Sequence, residues 1–226
     1  MGRTLSTTAM PVDRAAEILQ GSEDEVDARL LDDVHAFWFG PLDGFMAFPE
    51  GRFPLWFGAA AETDRMIAER YGQLVETVGT GNIDMAALTP DQRVAAIVLL
   101  DQFTRNIHRG SAEAYRFDAK ARELANTAIA LGVEPFKLIE RLFVLMPLGH
   151  SEALADQERM GALYDEHITL HIPDGHFFWE AGKRQVPLYH SIISRFGRFP
   201  HRNGLLGRES TPEEEAFLAE TKMSPF

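Results

Sequence analysis

The sequence predicts an all-α fold, and three observations support that prediction. Apolar side chains recur at helical spacing over much of the chain, for example across residues 30–38. Two segments, Thr89-Pro90-Asp91-Gln92 and Thr211-Pro212-Glu213-Glu214, carry helix start signals, with threonine as N-cap, proline at the first helical position and Gln or Glu three residues after the cap. No alternating run of apolar and polar residues reaches the length of a strand. We expect about eight helices around a buried central helix.

Two regions are expected in the 226-residue chain. Residues 1–24 are predicted to form a flexible lead that includes a short helix at about 13–20, and residues 25–226 are predicted to form a single helical domain. Within that domain, apolar periodicity that ends at Gly40-Pro41 predicts a first helix over about 25–39.

The next segments lead to the central helix. Residues 41–58, which are rich in Gly, Pro and aromatic residues, are predicted to be an ordered loop, and residues 61–78 a helix that Gly79 ends. After the first start signal, residues 94–100 are apolar on every side, which is typical of a helix that is buried all round. This central helix, expected over about 90–107, is predicted to be the most buried of the fold.

Five further helices are predicted in the second half of the chain. Four of them are expected at about 112–131, 135–146, 151–171 and 176–196. Gly132 and Pro147 are expected to end the first two of these, and Pro187 either to kink the last one or to begin a separate helix. The second start signal predicts a final helix from Pro212.

Composition excludes several classes of function. The formal net charge of -12 argues against binding to nucleic acid or to an anionic membrane surface. Because the chain has no cysteine, it has no disulfide framework, thiolate nucleophile or Cys-ligated metal centre. No apolar run approaches the roughly 20 residues of a membrane helix, and we recognise no signal peptide, so the expected location is the cytoplasm. We predict no metal and no cofactor.

A basic island at residues 190–208 contrasts with this acidic chain. It contains four arginines and two histidines but no carboxylate: His190, Arg195, Arg198, His201, Arg202 and Arg208. Gly197 and Pro200 keep its centre out of a helix. Arginine matches the geometry of carboxylates and phosphates, so we predict an anion site. Its expected ligand-binding residues are Arg198, Arg202, Asn203 and Arg208.

Two other polar segments adjoin apolar helices. Near the end of the central helix lie three polar residues, Asp101, Arg105 and Asn106. Either Asp101 and Arg105 form an ordinary i, i+4 ion pair at the surface of the helix, or the three side chains form the floor of a ligand pocket. Further along the chain, His150-Ser151-Glu152 precedes a helix for which Ser151 is a suitable N-cap. His150 and Glu152 also suit an acid–base pair, with His201 from the basic island as a further catalytic candidate.

Four separated segments also match a known family. They are Phe37-Trp38-Phe39-Gly40, the run from Leu100 to Asn106, the run from Pro147 to Glu152, and the run from Arg195 to Asn203. Over about residues 30–220 the chain resembles a bacterial family of uncharacterised proteins, the domain of unknown function nine-two-four; it departs at Thr104, where the family usually has proline. The resemblance implies an all-helical fold related to tetratricopeptide repeats, although the sequence itself shows no convincing repeat of about 34 residues. It brings no established activity and no catalytic residues.

Three functions stay open at this level. The protein is a binding module for an anionic small molecule or peptide end, a hydrolase-like enzyme that uses His150, Glu152 and His201, or a scaffold with a purely structural arginine network. We favour binding. That function predicts that the polar segments converge on one cavity and that Arg198 and Arg202 line it. It also predicts that Arg202→Met abolishes ligand-induced stabilisation without unfolding the protein. The sequence does not indicate the oligomeric state.

Overall fold

A computed structural model describes residues 27–221; the expected lead and the short helix at about 13–20 lie outside these residues. Within them the fold is all-helical and contains no strand, as the sequence predicts. The α-helices are α1 Ala28–Phe39, α2 Phe53–Phe57, α3 Ala61–Thr80, α4 Pro90–Val98, α5 Thr104–Ile107, α6 Asp118–Ala130, α7 Leu138–Gly149, α8 Leu154–His167, α9 Phe177–Phe196 and α10 Pro212–Thr221. Short 3-10 turns lie at Glu50–Arg52, Ala112–Tyr115, Thr169–His171 and Pro200–Arg202.

The α4 helix lies at the centre of the fold. It starts with the capping box that the sequence predicts: the Thr89 side chain accepts a hydrogen bond from Gln92 N, and the Gln92 side chain accepts one from Thr89 N. Residues 94–100 are fully buried, because α1, α6 and α7 all pack against α4. The prediction of a buried central helix over about 90–107 is confirmed, with one local difference.

That difference is a π-helical segment, Leu99–Phe103, which joins α4 to α5. The sequence predicts a regular α-helix here. In a π turn each backbone hydrogen bond spans five residues instead of four, so the segment accommodates one extra residue. Asp101 lies in this segment and exposes only 1% of its surface. Segments of this kind occur often at functional sites.

The α7 helix passes through Pro147, which the sequence predicts as its stop. Proline removes one backbone hydrogen bond and costs a helix interior about 3 kcal/mol. Nearly every residue of α7 is buried, and the burial of its apolar side chains outweighs that local cost. For this reason the helix continues to Gly149. The α9 helix likewise contains Pro187, and no separate helix begins there.

Other boundaries also differ from expectation. The predicted loop at 41–58 contains the short helix α2. The α3 helix runs through Gly79 to its end at Thr80. Gly79 faces the Phe117 ring, and a Cβ added at residue 79 would lie 2.3 Å from Phe117 Cζ. Packing space, and not helix termination, therefore explains this glycine.

The start of α8 shows a further difference. The helix begins at Leu154 and not near residue 151, so Ser151 is not its N-cap. Ser151 still supports the helix start, because its Oγ accepts a hydrogen bond from Ala153 N at 3.2 Å and donates one to Asp156 Oδ2 at 2.6 Å. The capping chemistry that the sequence predicts is thus present two residues before the cap position.

Consecutive helices from α6 to α9 pack against one another in turn, an arrangement compatible with the tetratricopeptide-related fold that the resemblance implies. A second, smaller core lies near the end of the chain, where Phe217 of α10 packs against Ile192, Ile193 and Phe199. Within residues 27–221, no helix combines the length and apolarity that crossing a bilayer requires.

Candidate functional site

A cavity of about 620 Å³ lies between α2, the end of the central helix, α7, α8 and α9. Its lining contains two groups of side chains that differ in chemistry. The donor cluster consists of Gln102, Arg105, Asn106, Arg109 and His150. The aromatic cluster consists of Phe53, Trp56, Phe57, Phe177, Phe178 and Trp179. Among the residues that the structure describes, the lining includes no Asp or Glu.

The aromatic cluster is a continuous group of rings. The ring centroid of Phe53 lies 5.1 Å from that of Phe57 and 5.4 Å from that of Phe177. Phe178 continues the group to Trp179, at 5.0 Å. Trp179 is buried, whereas 49% of Phe57 and 60% of Phe177 are exposed. The exposed rings mark the side on which the cavity meets solvent.

Asp64 in α3 holds two members of the donor cluster. Asn106 Nδ2 donates to Asp64 Oδ1 at 2.8 Å, and Arg109 donates from Nε to Oδ2 at 2.6 Å and from Nη2 to Oδ1 at 3.0 Å. Burial alone would raise the pKa of Asp64, but the hydrogen bonds from Arg109 and Asn106 outweigh burial and lower it. Asp64 therefore stays ionised and fixes both donors. No local sequence pattern singles out Asp64, because it lies 42 residues from Asn106 along the chain.

Asp101 in the π segment holds two more donors. Its Oδ1 lies 2.8 Å from His150 Nδ1 and accepts a hydrogen bond from Arg105 Nη1 at 3.2 Å. Burial alone would raise the pKa of Asp101, but the contacts with His150 and Arg105 outweigh burial and hold it below its ordinary value. The pairing of Asp101 with Arg105 is the i, i+4 ion pair that the sequence suggests. The carboxylate beside His150 is thus Asp101.

Asp118, the first residue of α6, lies between two arginines. Arg105 Nη2 donates to Asp118 Oδ2 at 3.0 Å, and Arg202 Nη1 lies 3.8 Å from the same oxygen. Burial raises the pKa of Asp118. The sequence does not single out this residue, because an aspartate at a helix start has an ordinary explanation in the helix dipole.

Arg202 contacts His150 but does not line the cavity. Its Nη1 donates to the backbone oxygen of His150 at 3.0 Å. Its guanidinium carbon lies 4.8 Å from the Tyr115 ring centroid and 4.5 Å from the Phe199 ring centroid. Burial and the charge of Arg105 lower the pKa of Arg202. The basic island therefore contacts the polar segment at residue 150, but the expectation that Arg202 lines the cavity is wrong, because its guanidinium binds protein groups instead.

Arg198 and Asn203 also lie outside the lining, near the start of α10. Arg198 donates to Glu214 from Nε at 2.7 Å and from Nη2 at 2.8 Å. Asn203 Nδ2 donates to Ser210 Oγ at 3.0 Å. The hydrogen bonds from Arg198 lower the pKa of Glu214 to about 2. The expectation that Arg198 lines a pocket overlooked this carboxylate, because the capping box of α10 already explained Glu214.

Glu152 binds Arg208 and does not bind His150. Arg208 donates from Nη1 to Glu152 Oε2 at 2.7 Å and from Nη2 to Oε1 at 3.0 Å, and Phe199 N donates to Oε1 at 2.8 Å. His201 is buried, with its ring centroid 5.3 Å from that of Phe199. Burial and the charge of Arg202 lower the pKa of His201 to about 4. Of the three predicted catalytic residues, His150 is the one in the cavity lining.

One further cluster has ligand atoms suited to a cation. Single ligand atoms of His35, Asp91 and Glu140 lie within 4.8 Å of one another. The ammonium of Lys137 lies 3.2 Å from Glu140 Oε1 and 3.7 Å from Asp91 Oδ1. Lys137 already supplies positive charge to both carboxylates, so the cluster has the character of an ion-pair network.

Comparison with known proteins identifies the family of the chain. No curated protein matches it. The solved structure of a protein of unknown function from Agrobacterium tumefaciens is 31% identical in sequence and has a TM-score of 0.67, with 85% of this chain and 98% of that chain covered. The family described as "bacterial protein of unknown function (DUF924)" matches residues 34–222. Because the match covers most of the sequence, the chain belongs to this family.

Proposed function

We propose that this protein binds an anionic small molecule or peptide end through the donor cluster. The chemistry of the cavity lining carries the proposal. The chain has a formal net charge of -12, yet the lining contains Arg105, Arg109 and His150 and, within residues 27–221, no carboxylate. In so acidic a protein, a cavity whose charged lining residues are arginines favours an anion over a cation.

The placement of the carboxylates supports the same proposal. Asp64 and Asp101 hold the donors from outside the lining. Donors that are fixed before a ligand arrives lose little side-chain entropy on binding. Arginine and amide N–H groups match the oxygens of carboxylates and phosphates. An incoming anion would thus meet N–H groups that are already oriented.

Arg109→Gln tests the proposal with least harm to the fold. The Arg109 side chain is 26% exposed, and its removal leaves the buried pair of Asp101 and Arg105 in place. With octanoate as the probe, we expect Kd to weaken roughly tenfold or more, because a hydrogen bond to a charged group contributes about 1.5–3 kcal/mol. The measurement is a titration followed by tryptophan fluorescence and by the ligand-induced rise in Tm.

Arg116→Gln is the matched control. Arg116 also pairs with a carboxylate, Glu76, at 2.9 Å, but it lies outside the cavity lining. Its removal should leave Kd for octanoate unchanged. Equal affinities for the wild type and Arg109→Gln, or failure of carboxylates and phosphates alike to bind the wild type, would contradict an anion site.

A second candidate function is a hydrolase-like enzyme. The contact of 2.8 Å between Asp101 and His150 favours it, since a carboxylate that orients an imidazole is a common arrangement for a general base. His150 would then take a proton from the water that attacks an ester carbonyl and return it to the departing oxygen as the acyl C–O bond breaks, which leaves a carboxylic acid and an alcohol. Hydrolysis of p-nitrophenyl octanoate tests this role: turnover that disappears in His150→Gln but is kept in the control Arg116→Gln supports it, and equal rates in the wild type and His150→Gln reject it.

A further inference from the structure

The donor cluster accounts for one part of the cavity and leaves the aromatic cluster unexplained. We propose that the ligand is an amphiphilic carboxylate, whose head binds the donor cluster and whose apolar tail packs against the aromatic cluster. This inference rests on the proposed function for the anionic head, and it adds the chemical class of the molecule.

The exposure of the aromatic rings supports an apolar tail. Phe53, Phe57 and Phe177 expose 37%, 49% and 60% of their surfaces and lie side by side. Scattered single apolar residues are ordinary on a protein surface, whereas contiguous exposed apolar groups mark binding sites. A tail laid against these rings would remove them from water, which is the main source of affinity for an apolar group.

The surface around the two clusters is also suited to a tail. Two amide side chains in the lining are engaged with protein groups: Gln157 Nε2 donates to Gly149 O at 2.8 Å, and Gln185 Nε2 donates to Tyr189 Oη at 2.7 Å. Several other lining residues are apolar, namely Leu142, Met146, Met160, Ala181 and Val186. The charged side chains of the lining, Arg105 and Arg109, both belong to the donor cluster.

The size of the cavity argues against a bare inorganic anion as the full ligand. Its volume of about 620 Å³ falls within the roughly 300–1,000 Å³ of sites that hold organic ligands. A water molecule takes a share of only about 30 Å³, and a small anion is of comparable scale. An anion at the donor cluster would leave the aromatic cluster in contact with water.

A series of straight-chain carboxylates tests the inference. Butanoate, hexanoate and octanoate present the same head with increasing tails, and 1-octanol presents a long tail without charge. Binding is followed by tryptophan fluorescence, for which Trp56 and Trp179 line the cavity. We expect Kd to tighten about threefold to fourfold for each added methylene. We expect 1-octanol to bind at least tenfold more weakly than octanoate.

Phe177→Ala tests the contribution of the tail to binding independently of that of the head. Its ring is largely exposed, so we expect the variant to fold, as far-UV circular dichroism checks. Octanoate should bind at least fivefold more weakly, and butanoate should bind as it does to the wild type. Leu170→Ala is the control, because Leu170 is 80% exposed and lies outside the cavity lining; it should change neither affinity.

The outcomes distinguish this inference from the proposed function. If Kd is the same for all three acids but weakens in Arg109→Gln, the amphiphilic ligand is excluded and the anion site stands. If 1-octanol binds as tightly as octanoate and Arg109→Gln has no effect, the anionic head is excluded and the proposed function fails with it. Unchanged octanoate affinity in both Phe177→Ala and a second variant, Phe57→Ala, would overturn the placement of the tail.

Discussion

The guanidinium of Arg202 lies between the rings of Tyr115 and Phe199 and donates to the backbone oxygen of His150. Arg202→Met retains much of the side-chain volume but removes this hydrogen bond. A hydrogen bond from a charged group contributes about 1.5–3 kcal/mol. We therefore expect the variant to lower the free energy of unfolding by that amount, in contrast to the unchanged fold that the sequence suggests. Urea unfolding measures the difference.

Arg195→Met is the matched control for Arg202→Met. The Arg195 side chain is 52% exposed, and its ion pair with Glu213 lies at the surface. Exposed pairs of this kind contribute about 0–1 kcal/mol. A loss of stability as large in Arg195→Met as in Arg202→Met would show that burial of Arg202 is not the cause.

His201 predicts a pH dependence of stability. Its pKa is lowered to about 4 in the folded protein, by burial and by Arg202. The folded protein therefore favours the neutral ring. The contribution of His201 to the free energy of unfolding is complete above the ordinary pKa of 6.5 and is lost as the pH falls toward 4. Between pH 7 and 5.5 we expect the wild type to lose about 1 kcal/mol through this group. His201→Gln should lack that loss in urea unfolding at the two pH values.

At the scale of the helix, α3 contains two glycines with opposite expected effects. A Cβ at Gly79 would lie 2.3 Å from Phe117, whereas one at Gly72 meets no described heavy atom within 4 Å. Gly72→Ala should stabilise the protein by up to about 1 kcal/mol through helix propensity. Gly79→Ala should destabilise it by about 1–3 kcal/mol, because the added methyl overpacks the site. If both variants shift the urea midpoint in the same direction, the packing explanation for Gly79 is wrong.

The balance between local sequence signals and tertiary packing explains which elements the sequence predicts correctly. Thr89 and residues 94–100 were predictable because capping, periodicity and burial favour the same helix. The continuation of α7 through Pro147 was not predictable, because the local preference of proline opposes the helix while the packing of α7 favours it, and packing has the larger energy. The π segment was also hidden, since an extra residue leaves no composition signal of its own.

At the scale of the whole molecule, the ion pair between Arg208 and Glu152 joins the C-terminal part of the chain to the junction of α7 and α8. Arg208→Met should weaken this attachment. We expect faster hydrogen exchange in α10 and at Pro200–Arg202, with unchanged exchange in α4, because local opening exposes only the affected unit. Exchange followed by mass spectrometry checks this, and faster exchange in α4 would indicate global destabilisation instead.

The candidate site depends on contacts that local sequence patterns do not contain. Arg105, Asn106 and His150 were singled out because each lies at a polar junction, and all three line the cavity. The aromatic cluster was not singled out as part of a site, because aromatic side chains in a helical protein are expected in the core. Asp64 and Asp118 were missed because each is an ordinary acidic residue until the fold places it beside an arginine.

In genetic terms, the π segment Leu99–Phe103 has the form of a one-codon insertion in the central helix. In a regular α-helix, an inserted residue would turn every later side chain by about 100°. The π segment takes up the extra residue in one wide turn, so Arg105 and Asn106 keep the orientation that a helix shorter by one residue would give them. The length of the central helix can therefore change by one residue at this point while these two donors still line the cavity.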